Sequence, residues 1–325
     1  MEYQKVEISK KTIVFTTFFL LSLYFLWQIK SIVYSFLIAF IIAGALRPSV
    51  DYLEKKKLPR LIVSIIIYLL FFSILFTLIL VILPPIVHEI TFFIKSFPAI
   101  LKSIPQISSY VDMSLITRNL PNLANDILGF VKNIFSNAIF VISTLFFGFY
   151  LLVDKDFIEK ILANFLENNT AKKIGHIISL AQKRAGIWFW GEIILMVAVG
   201  ILTYIGLIVI KVKYAVALAV LAGLLEIIPT FGPIISAVPA VLIGLSGSYT
   251  LALYCVILYF VVQQLENNII VPIVMKKIIG VHPIITIVAL MIGGKLAGVL
   301  GVILAVPTTI FIETILIETK KIQKK

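Results

Sequence analysis

The chain has 325 residues, of which 61% are hydrophobic and only 14% are charged, so too little polar surface is available to cover a soluble core of this size. This composition excludes intrinsic disorder, and the single cysteine excludes a disulfide framework or a cysteine-cluster metal site. The net charge of +12 comes from short basic clusters beside apolar runs, which is typical of cytoplasmic membrane loops and not of a nucleic-acid-binding surface.

Eight apolar runs predict membrane-spanning helices, because a helix needs about 20 mostly apolar residues to cross a bilayer. In chain order they are 12–29, 31–46, 61–83, 134–153, 187–210, 214–246, 249–265 and 284–317. The first two predict an uncleaved hairpin and no signal peptide, since the apolar stretch before the cleavage-like Ala43-Gly44-Ala45 is about twice a normal signal core. We therefore expect an all-α polytopic membrane protein with about eight transmembrane helices.

The distribution of lysine and arginine predicts the orientation of the chain. Segments 47–60 and 154–186 are rich in both residues, whereas the longer segment 84–133 holds only four of them. The positive-inside rule then predicts that the first two segments and both termini are cytoplasmic and that 84–133 is outside. The chain is accordingly divided into N-terminal transmembrane helices (1–83), an extracytoplasmic segment (84–133), a transmembrane helix with a cytoplasmic linker (134–186) and a C-terminal core with two broken hairpins (187–325).

The extracytoplasmic segment carries apolar residues at helical spacing between 83 and 107. Pro98 and Pro105 are expected to kink or break this helix, because proline cannot donate the backbone hydrogen bond. A one-sided apolar helix outside the membrane either lies on the lipid surface or packs against another subunit.

Two of the C-terminal runs are too long for one helix and contain backbone breakers. Run 214–246 is interrupted by Pro229, Gly232 and Pro233, and run 284–317 is interrupted by Gly293-Gly294 and Gly298. If each run folds back on itself, the two hairpins enter the membrane from opposite sides, as in secondary transporters that bind substrate near the midplane. The alternative is a pair of ordinary helical hairpins with tight turns.

Ionisable side chains inside apolar runs cost about 2.5–3.5 kcal/mol each on insertion scales, so each is a candidate functional group. Glu226 directly precedes the first break and is expected to be a cation or proton site or a cap for freed backbone amides. Glu266 belongs to the polar run Gln263-Gln264-Leu265-Glu266-Asn267-Asn268. Lys295 is expected to pair with a carboxylate, contact an anionic substrate or snorkel to the interface. Glu192 follows two tryptophans, which favours an interfacial aromatic belt.

The sequence does not predict an enzyme. His88-Glu89 begins like a zinc protease motif, but the second histidine is missing. Gly244-Leu245-Ser246-Gly247 resembles the serine motif of intramembrane proteases, with His282 as a conceivable base, yet four residues this common in loops are a weak signal. No phosphate-binding Walker loop occurs, so ATP-driven transport by this chain alone is not supported.

The C-terminal third contains an ordered set of motifs: 223–233 (Gly-Leu-Leu-Glu-Ile-Ile-Pro-Thr-Phe-Gly-Pro), Pro239, 263–268, Pro272, Val281-His282-Pro283, 293–301 (ending in Gly301) and Val306-Pro307. In order and spacing these motifs resemble the autoinducer-2 exporter family of bacterial membrane proteins. The resemblance implies a multi-pass transporter of the bacterial cytoplasmic membrane with about eight helices. The resemblance also implies export of the quorum-sensing signal autoinducer-2, and for some relatives sodium–proton antiport. It further implies that the protein assembles as a homo-oligomer, such as a pentamer.

These observations lead to one hypothesis and two alternatives. The hypothesis is a secondary transporter that exports a small solute such as autoinducer-2, with the breaks at 228–233 and 293–298 facing each other across a polar cavity. The predicted substrate- or ion-binding residues are Glu226, Gln263, Gln264, Glu266, Asn267 and Lys295; the predicted backbone breakers are Pro229, Gly232, Pro233, Pro272, Pro283, Gly293, Gly294, Gly298, Gly301 and Pro307. The alternatives are a sodium(lithium)/proton antiporter and, from another class, a non-transporting membrane assembly factor. No cofactor is expected beyond a coupling proton or sodium ion, and the expected partners are lipids, the substrate and further copies of the chain.

Overall fold

The computed structural model describes residues 9–102, 129, 137–229, 231–276 and 282–323, and no strand occurs within these ranges. The helices are α1 (Lys10–Gln28), α2 (Lys30–Glu54), α3 (Arg60–Lys102), α4 (Ala138–Val153), α5 (Phe157–Ala163), α6 (Asn168–Val209), α7 (Ala215–Leu225), α8 (Phe231–Gly247), α9 (Tyr249–Leu265), a π turn (Glu266–Ile270), α10 (Val271–Val274) and α11 (Pro283–Gln323).

The predicted all-α membrane fold is confirmed. Five described helices are long and apolar enough to cross a membrane, and the α4–α5 pair, bent by 86°, would make a sixth. α7 has only 11 residues and, at 1.5 Å per residue, spans about 16 Å, which is half of a bilayer core. The count of eight crossings and the cytoplasmic termini stay predictions.

Helix α3 is longer than its apolar run. It continues without a break from Arg60 to Lys102 and therefore passes through the predicted segment boundary at 83/84 and through Pro98. Only Arg60–Leu80 qualifies as a membrane span, so the remaining 22 residues of α3 extend about 33 Å beyond it. Pro105 and most of the rest of the segment predicted to be extracytoplasmic lie outside the described residues.

Arg60 joins the ends of three helices. Its Nη1 lies 2.7 Å from both Asp51 Oδ1 and Glu54 Oε2 at the end of α2. Its Nε and Nη2 donate to the carbonyls of Leu152 and Val153, the last residues of α4, which a helix leaves without internal partners. The ends of α2 and α4 and the start of α3 therefore lie on one side of the molecule, which agrees with the common side predicted for 47–60 and 154–186.

Helix α6 connects this N-terminal bundle to the C-terminal core, since it packs against α2, α7, α9 and α11. Its contact with α2 is close because Gly44 and Gly186 lie at the crossing, where a Cβ on Gly186 would collide with the Gly44 backbone. Its contact with α7 is also close, since a Cβ on Gly223 would lie 2.6 Å from the Met196 carbonyl oxygen. These glycines let α6 bring its buried face against both halves of the molecule.

The two broken runs both fold back. Leu218 and Ala222 of α7 share a buried cluster with Ala240 and Ile243 of α8. In α11 the backbone leaves helical geometry at Ala297 and at Gly298, where φ is 58° and ψ is −137°. Eight residues of straight helix span about 12 Å, yet a Cβ on Gly301 would collide with the Gly293 carbonyl. Helix α11 is therefore two packed arms, 283–296 and 299–323.

Candidate functional site: a buried three-carboxylate cavity

A cavity of about 440 Å³ lies where α6, α9 and α11 meet the end of α7. Its polar lining residues are Glu192, Glu226, Gln263, Glu266, Asn267 and Thr286. Its apolar lining includes Trp188, Leu195 and Met275. A concave, mostly apolar space with a few convergent polar groups is the usual form of a small-ligand site.

Three carboxyl groups dominate this cavity. Glu192, Glu226 and Glu266 are only 5%, 3% and 5% exposed. No lysine or arginine lines the cavity among the described residues, so the three acids face one another without a basic partner. Burying even one unpaired carboxylate is strongly unfavourable. The group must therefore be neutralised by protons or by bound cations.

The hydrogen bonds in the cavity are incomplete. Gln263 Nε2 donates to Glu266 Oε2 at 3.0 Å. The carboxyl groups of Glu226 and Glu266 lie within hydrogen-bonding reach of each other, which is stable only if one of them carries a proton. Glu226 Oε2 and Gln263 Oε1 are buried without a partner in the described part of the chain. Two oxygen acceptors are thus left open inside the cavity.

Glu226 is positioned by the break between α7 and α8. It is the first residue beyond α7, and its N–H still donates to the Ala222 carbonyl at 3.2 Å. The chain then reverses tightly enough that a Cβ on Gly232 would collide with the Leu225 carbonyl. Gly223 of α7 packs on Met196 of α6. Glu226 follows Gly223 by about one turn, and Glu192 precedes Met196 by about one turn, so this contact brings the two carboxyl groups to neighbouring levels.

Glu266 is positioned by the π turn that follows α9. Pro272 has no N–H with which to bond the carbonyl four residues earlier, so the regular helix cannot continue unchanged. Instead the Val271 N–H donates to the Glu266 carbonyl, five residues back. Single π turns within helices are frequent at functional sites. The turn places Glu266 and Asn267 at the cavity beside Gln263.

Glu192 was misread in the sequence. It is buried within the protein and lines the cavity, so its interpretation as part of an interfacial aromatic belt was wrong. The neighbouring Gly191 allows this placement, because a Cβ there would lie 2.7 Å from the Met275 sulfur just beyond α10. Glu192 is only the sixth residue of the apolar run 187–210 and lies close to two tryptophans, so the sequence alone does not separate a buried position from an interfacial one. Thr286, also in the lining, carried no sequence signal.

The other predicted binding residues divide into two groups. Glu226, Gln263, Glu266 and Asn267 line the cavity together. Gln264 and Lys295 are exposed and are not among its described lining residues. His282 is also exposed, and its Nδ1 accepts from the Ile284 N–H at 3.3 Å at the start of α11. In the described structure, a serine–histidine pair with Ser246 is not formed, since the Ser246 hydroxyl donates to the Ile243 carbonyl at 2.7 Å.

The predicted backbone breakers occupy different kinds of position. Pro229 lines the cavity and Gly232 lies at the reversal beside it, whereas Gly293, Gly298 and Gly301 form the turn and crossing of the two α11 arms. The rest lie within helices or at their starts: Pro233 in α8, Pro272 in α10, Pro283 as the first residue of α11, and Gly294 and Pro307 along its arms. The cavity is reached by the arms of α11, through Thr286, Val306 and Ile310, and not by residues 293–298. The two breaks therefore do not face each other across it.

Comparison with known proteins gives a consistent result along nearly the whole chain. A family model described as "AI-2E family transporter" matches residues 13–321. The chain is 30% identical to "Putative transport protein YueF" of Bacillus subtilis over 87% of this chain and 83% of that protein. It is 26% identical to "Putative transport protein YrrI" of Bacillus subtilis, with 92% and 91% covered, and 22% identical to "Putative permease PerM" of Escherichia coli, with 86% and 85% covered.

Proposed function

This chain belongs to the AI-2E transporter family, and we propose that it is a secondary transporter that exchanges protons for small cations at the three-carboxylate cavity. The observation that carries the proposal is the burial of Glu192, Glu226 and Glu266 around one space without a basic partner among the described lining residues. Sodium and lithium are the cations proposed, because both accept the carboxylate and amide oxygens that the cavity offers. The transporter class follows from the family, and the ion exchange is the proposal.

In the proposed cycle, protons and cations compete for the same carboxylate oxygen atoms. With protons bound, Glu226 and Glu266 share a hydrogen bond and the cavity is close to neutral. A sodium or lithium ion that enters would displace a proton and use the open acceptors Glu226 Oε2 and Gln263 Oε1 as ligands. In transporters of this organisation, broken helices typically supply such ion sites. Proton loss and cation binding are therefore coupled at one place.

The experiment uses purified protein in liposomes that enclose a pH-sensitive dye. Addition of sodium or lithium outside should change the internal pH with the wild type, and Glu226→Gln should abolish the change at every external pH. Glu313→Gln is the matched control, since Glu313 is a carboxylate of α11 that does not line the cavity. A cation-dependent signal that is equal in all three proteins would contradict the proposal.

A second candidate is export of a small polar solute such as autoinducer-2. The favouring observation is the size of the cavity, about 440 Å³, because one water molecule occupies about 30 Å³ in the liquid. Its mixed lining of Trp188, Leu195 and amide groups also suits an organic molecule better than a bare ion. Uptake of labelled autoinducer-2 by inverted vesicles distinguishes the two functions, since export of a neutral solute can survive Glu226→Gln.

The cellular setting completes the proposal. The apolar helices and the family indicate a multi-pass membrane protein. We propose the bacterial cytoplasmic membrane as its location and a homo-oligomer, such as a pentamer, as its assembly. Mass spectrometry of the intact detergent complex measures the number of chains directly, and a purely monomeric species would contradict the assembly.

A further inference from the structure

Buried polar atoms without a hydrogen-bond partner concentrate in one part of the molecule. The described residues contain five such side-chain atoms: Glu226 Oε2, Gln263 Oε1, Thr203 Oγ1, Tyr259 Oη and Ser64 Oγ. The first two belong to the cavity, and Thr203 and Tyr259 lie on α6 and α9, the helices that form its walls. Only Ser64, in α3, lies elsewhere among these five.

Thr203 and Tyr259 lie at one level of the α6–α9 contact. The two helices run antiparallel, because Gly206 of α6 meets Leu258 of α9 while Gly191 meets Met275. Tyr259 is adjacent to Leu258, and Thr203 precedes Gly206 by less than one turn. Tyr259 belongs to a buried apolar cluster that also contains Val199 and Leu207, the residues one turn before and one turn after Thr203 on α6.

The polar positions form a column that leads away from the cavity. On α9 they are Tyr259, Gln263 and Glu266, spaced by four and three residues and therefore on one helix face. On α6 they are Glu192 and Thr203, which are 11 residues and about 16 Å apart along the axis. Along α9 the column extends one turn, about 6 Å, from Gln263 to Tyr259, and on α6 Thr203 lies beyond Glu192 in the direction of Val209.

A structural role does not account for these two hydroxyls. Thr203 is 0% exposed and Tyr259 is 7% exposed, and each unpartnered buried hydroxyl costs about 1–3 kcal/mol relative to an apolar group of the same shape. Valine and phenylalanine would fill the same space without this cost. Buried polar groups left unpaired in a native structure call for an explanation, and a bound ion is one of those that account for such groups.

We propose that Thr203 and Tyr259 are a second, outer binding station for the transported cation, through which it passes between the cavity and the side of the membrane where α6 ends. Their hydroxyl oxygens supply hard ligands of the kind that sodium and lithium accept. The station is closed in this structure, where both side chains are buried, and it opens when the cation moves along the α6–α9 contact. This inference rests on the cation exchange proposed above.

The first test combines transport with stability. Tyr259→Phe and Thr203→Val should each lower sodium-dependent proton flux at least tenfold and raise the KM for sodium. Their melting temperatures in detergent should stay equal to the wild type or rise, since an unpaired hydroxyl has been removed. Ser64→Ala is the matched control, because it removes another buried, unpartnered hydroxyl, one that lies on α3 and does not line the cavity; its flux should be unchanged.

The second test does not depend on transport. Cys255 is the only cysteine and is buried, so Cys255→Ala gives a background for single-cysteine labelling without adding a hydroxyl beside Tyr259. In that background Thr203→Cys, with Tyr259→Cys as a second probe position, should react with a charged, membrane-impermeant thiol reagent in sodium-containing proteoliposomes. Leu152→Cys, also fully buried but in the cluster formed by α2, α3 and α4 and outside the column, should stay unlabelled.

The outcomes separate this inference from the proposed function. Wild-type flux that Glu226→Gln abolishes but Tyr259→Phe and Thr203→Val leave intact would overturn the outer station alone. If the wild type shows no cation-dependent flux, the ion exchange fails, and labelling decides whether the column opens at all. Equal protection of positions 203, 259 and 152 from the reagent would overturn the inference whatever the flux.

Discussion

The substitution Glu192→Gln tests the contribution to cation binding of Glu192, the cavity carboxylate that the sequence does not predict as a binding residue. The substitution keeps the shape of the side chain and removes one of the three negative charges available to a cation in the cavity. A unit charge about 5 Å from the ion contributes about 3 kcal/mol at an effective dielectric constant of about 20. Partial opening of the cavity to water reduces this value, so we expect the KM for sodium to rise about 10- to 100-fold, since 1.4 kcal/mol corresponds to about tenfold.

The assay for Glu192→Gln is sodium-dependent proton flux in liposomes, measured over a range of sodium concentrations. The maximal rate at saturating sodium should fall much less than in Glu226→Gln, because the proton-sharing pair Glu226 and Glu266 is intact. Glu313→Gln, which removes a carboxylate outside the cavity, should leave the KM unchanged. An unchanged KM in Glu192→Gln would refute the reasoning that three carboxylates act on one ion.

Two further substitutions test the fold that holds the cavity. Gly301→Ala should destabilise the protein by about 1–3 kcal/mol, because the new methyl group would collide with the Gly293 carbonyl and force the α11 arms apart; Gly247→Ala, near a loop, should change the melting temperature little. Arg60→Gln should cost at least about 2 kcal/mol, since the guanidinium loses charged hydrogen bonds to two carboxylates of α2 and carbonyls of α4. Lys56→Gln, in the adjoining loop, is the control for Arg60→Gln. If a control variant lowers the melting temperature as much as the substitution it is paired with, the corresponding statement is contradicted.

The sequence predicted the membrane helices and part of the site for clear physical reasons. Long apolar runs have few folds available to them in a bilayer. The proline and glycine near Glu226 indicated a backbone break next to a carboxylate, and the structure brings Glu226 together with Gln263 and Glu266 as neighbours. Helical spacing also separates Gln263 from Gln264, which points about 100° away around α9 and is exposed.

The remaining features depend on contacts between distant segments. Glu192 reaches the cavity because Gly191 and Gly223 allow other helices to approach α6, and its sequence neighbours, two tryptophans, suggested a membrane interface instead. The continuation of α3 through Pro98 likewise runs against local propensity. The sequence does not show that the hydroxyls of Thr203 and Tyr259 are unpaired, since only the packing of the helices shows that they lack hydrogen-bond partners.

The central claim is that protons and cations compete for the same buried carboxyl groups. The most direct measurement is proton release from detergent-solubilised protein in weakly buffered solution when sodium or lithium chloride is added, with choline chloride as the ionic-strength control. The account predicts saturable proton release by the wild type and by Glu313→Gln, and none by Glu226→Gln. Proton release that is absent from the wild type, or that persists unchanged in Glu226→Gln, would contradict it.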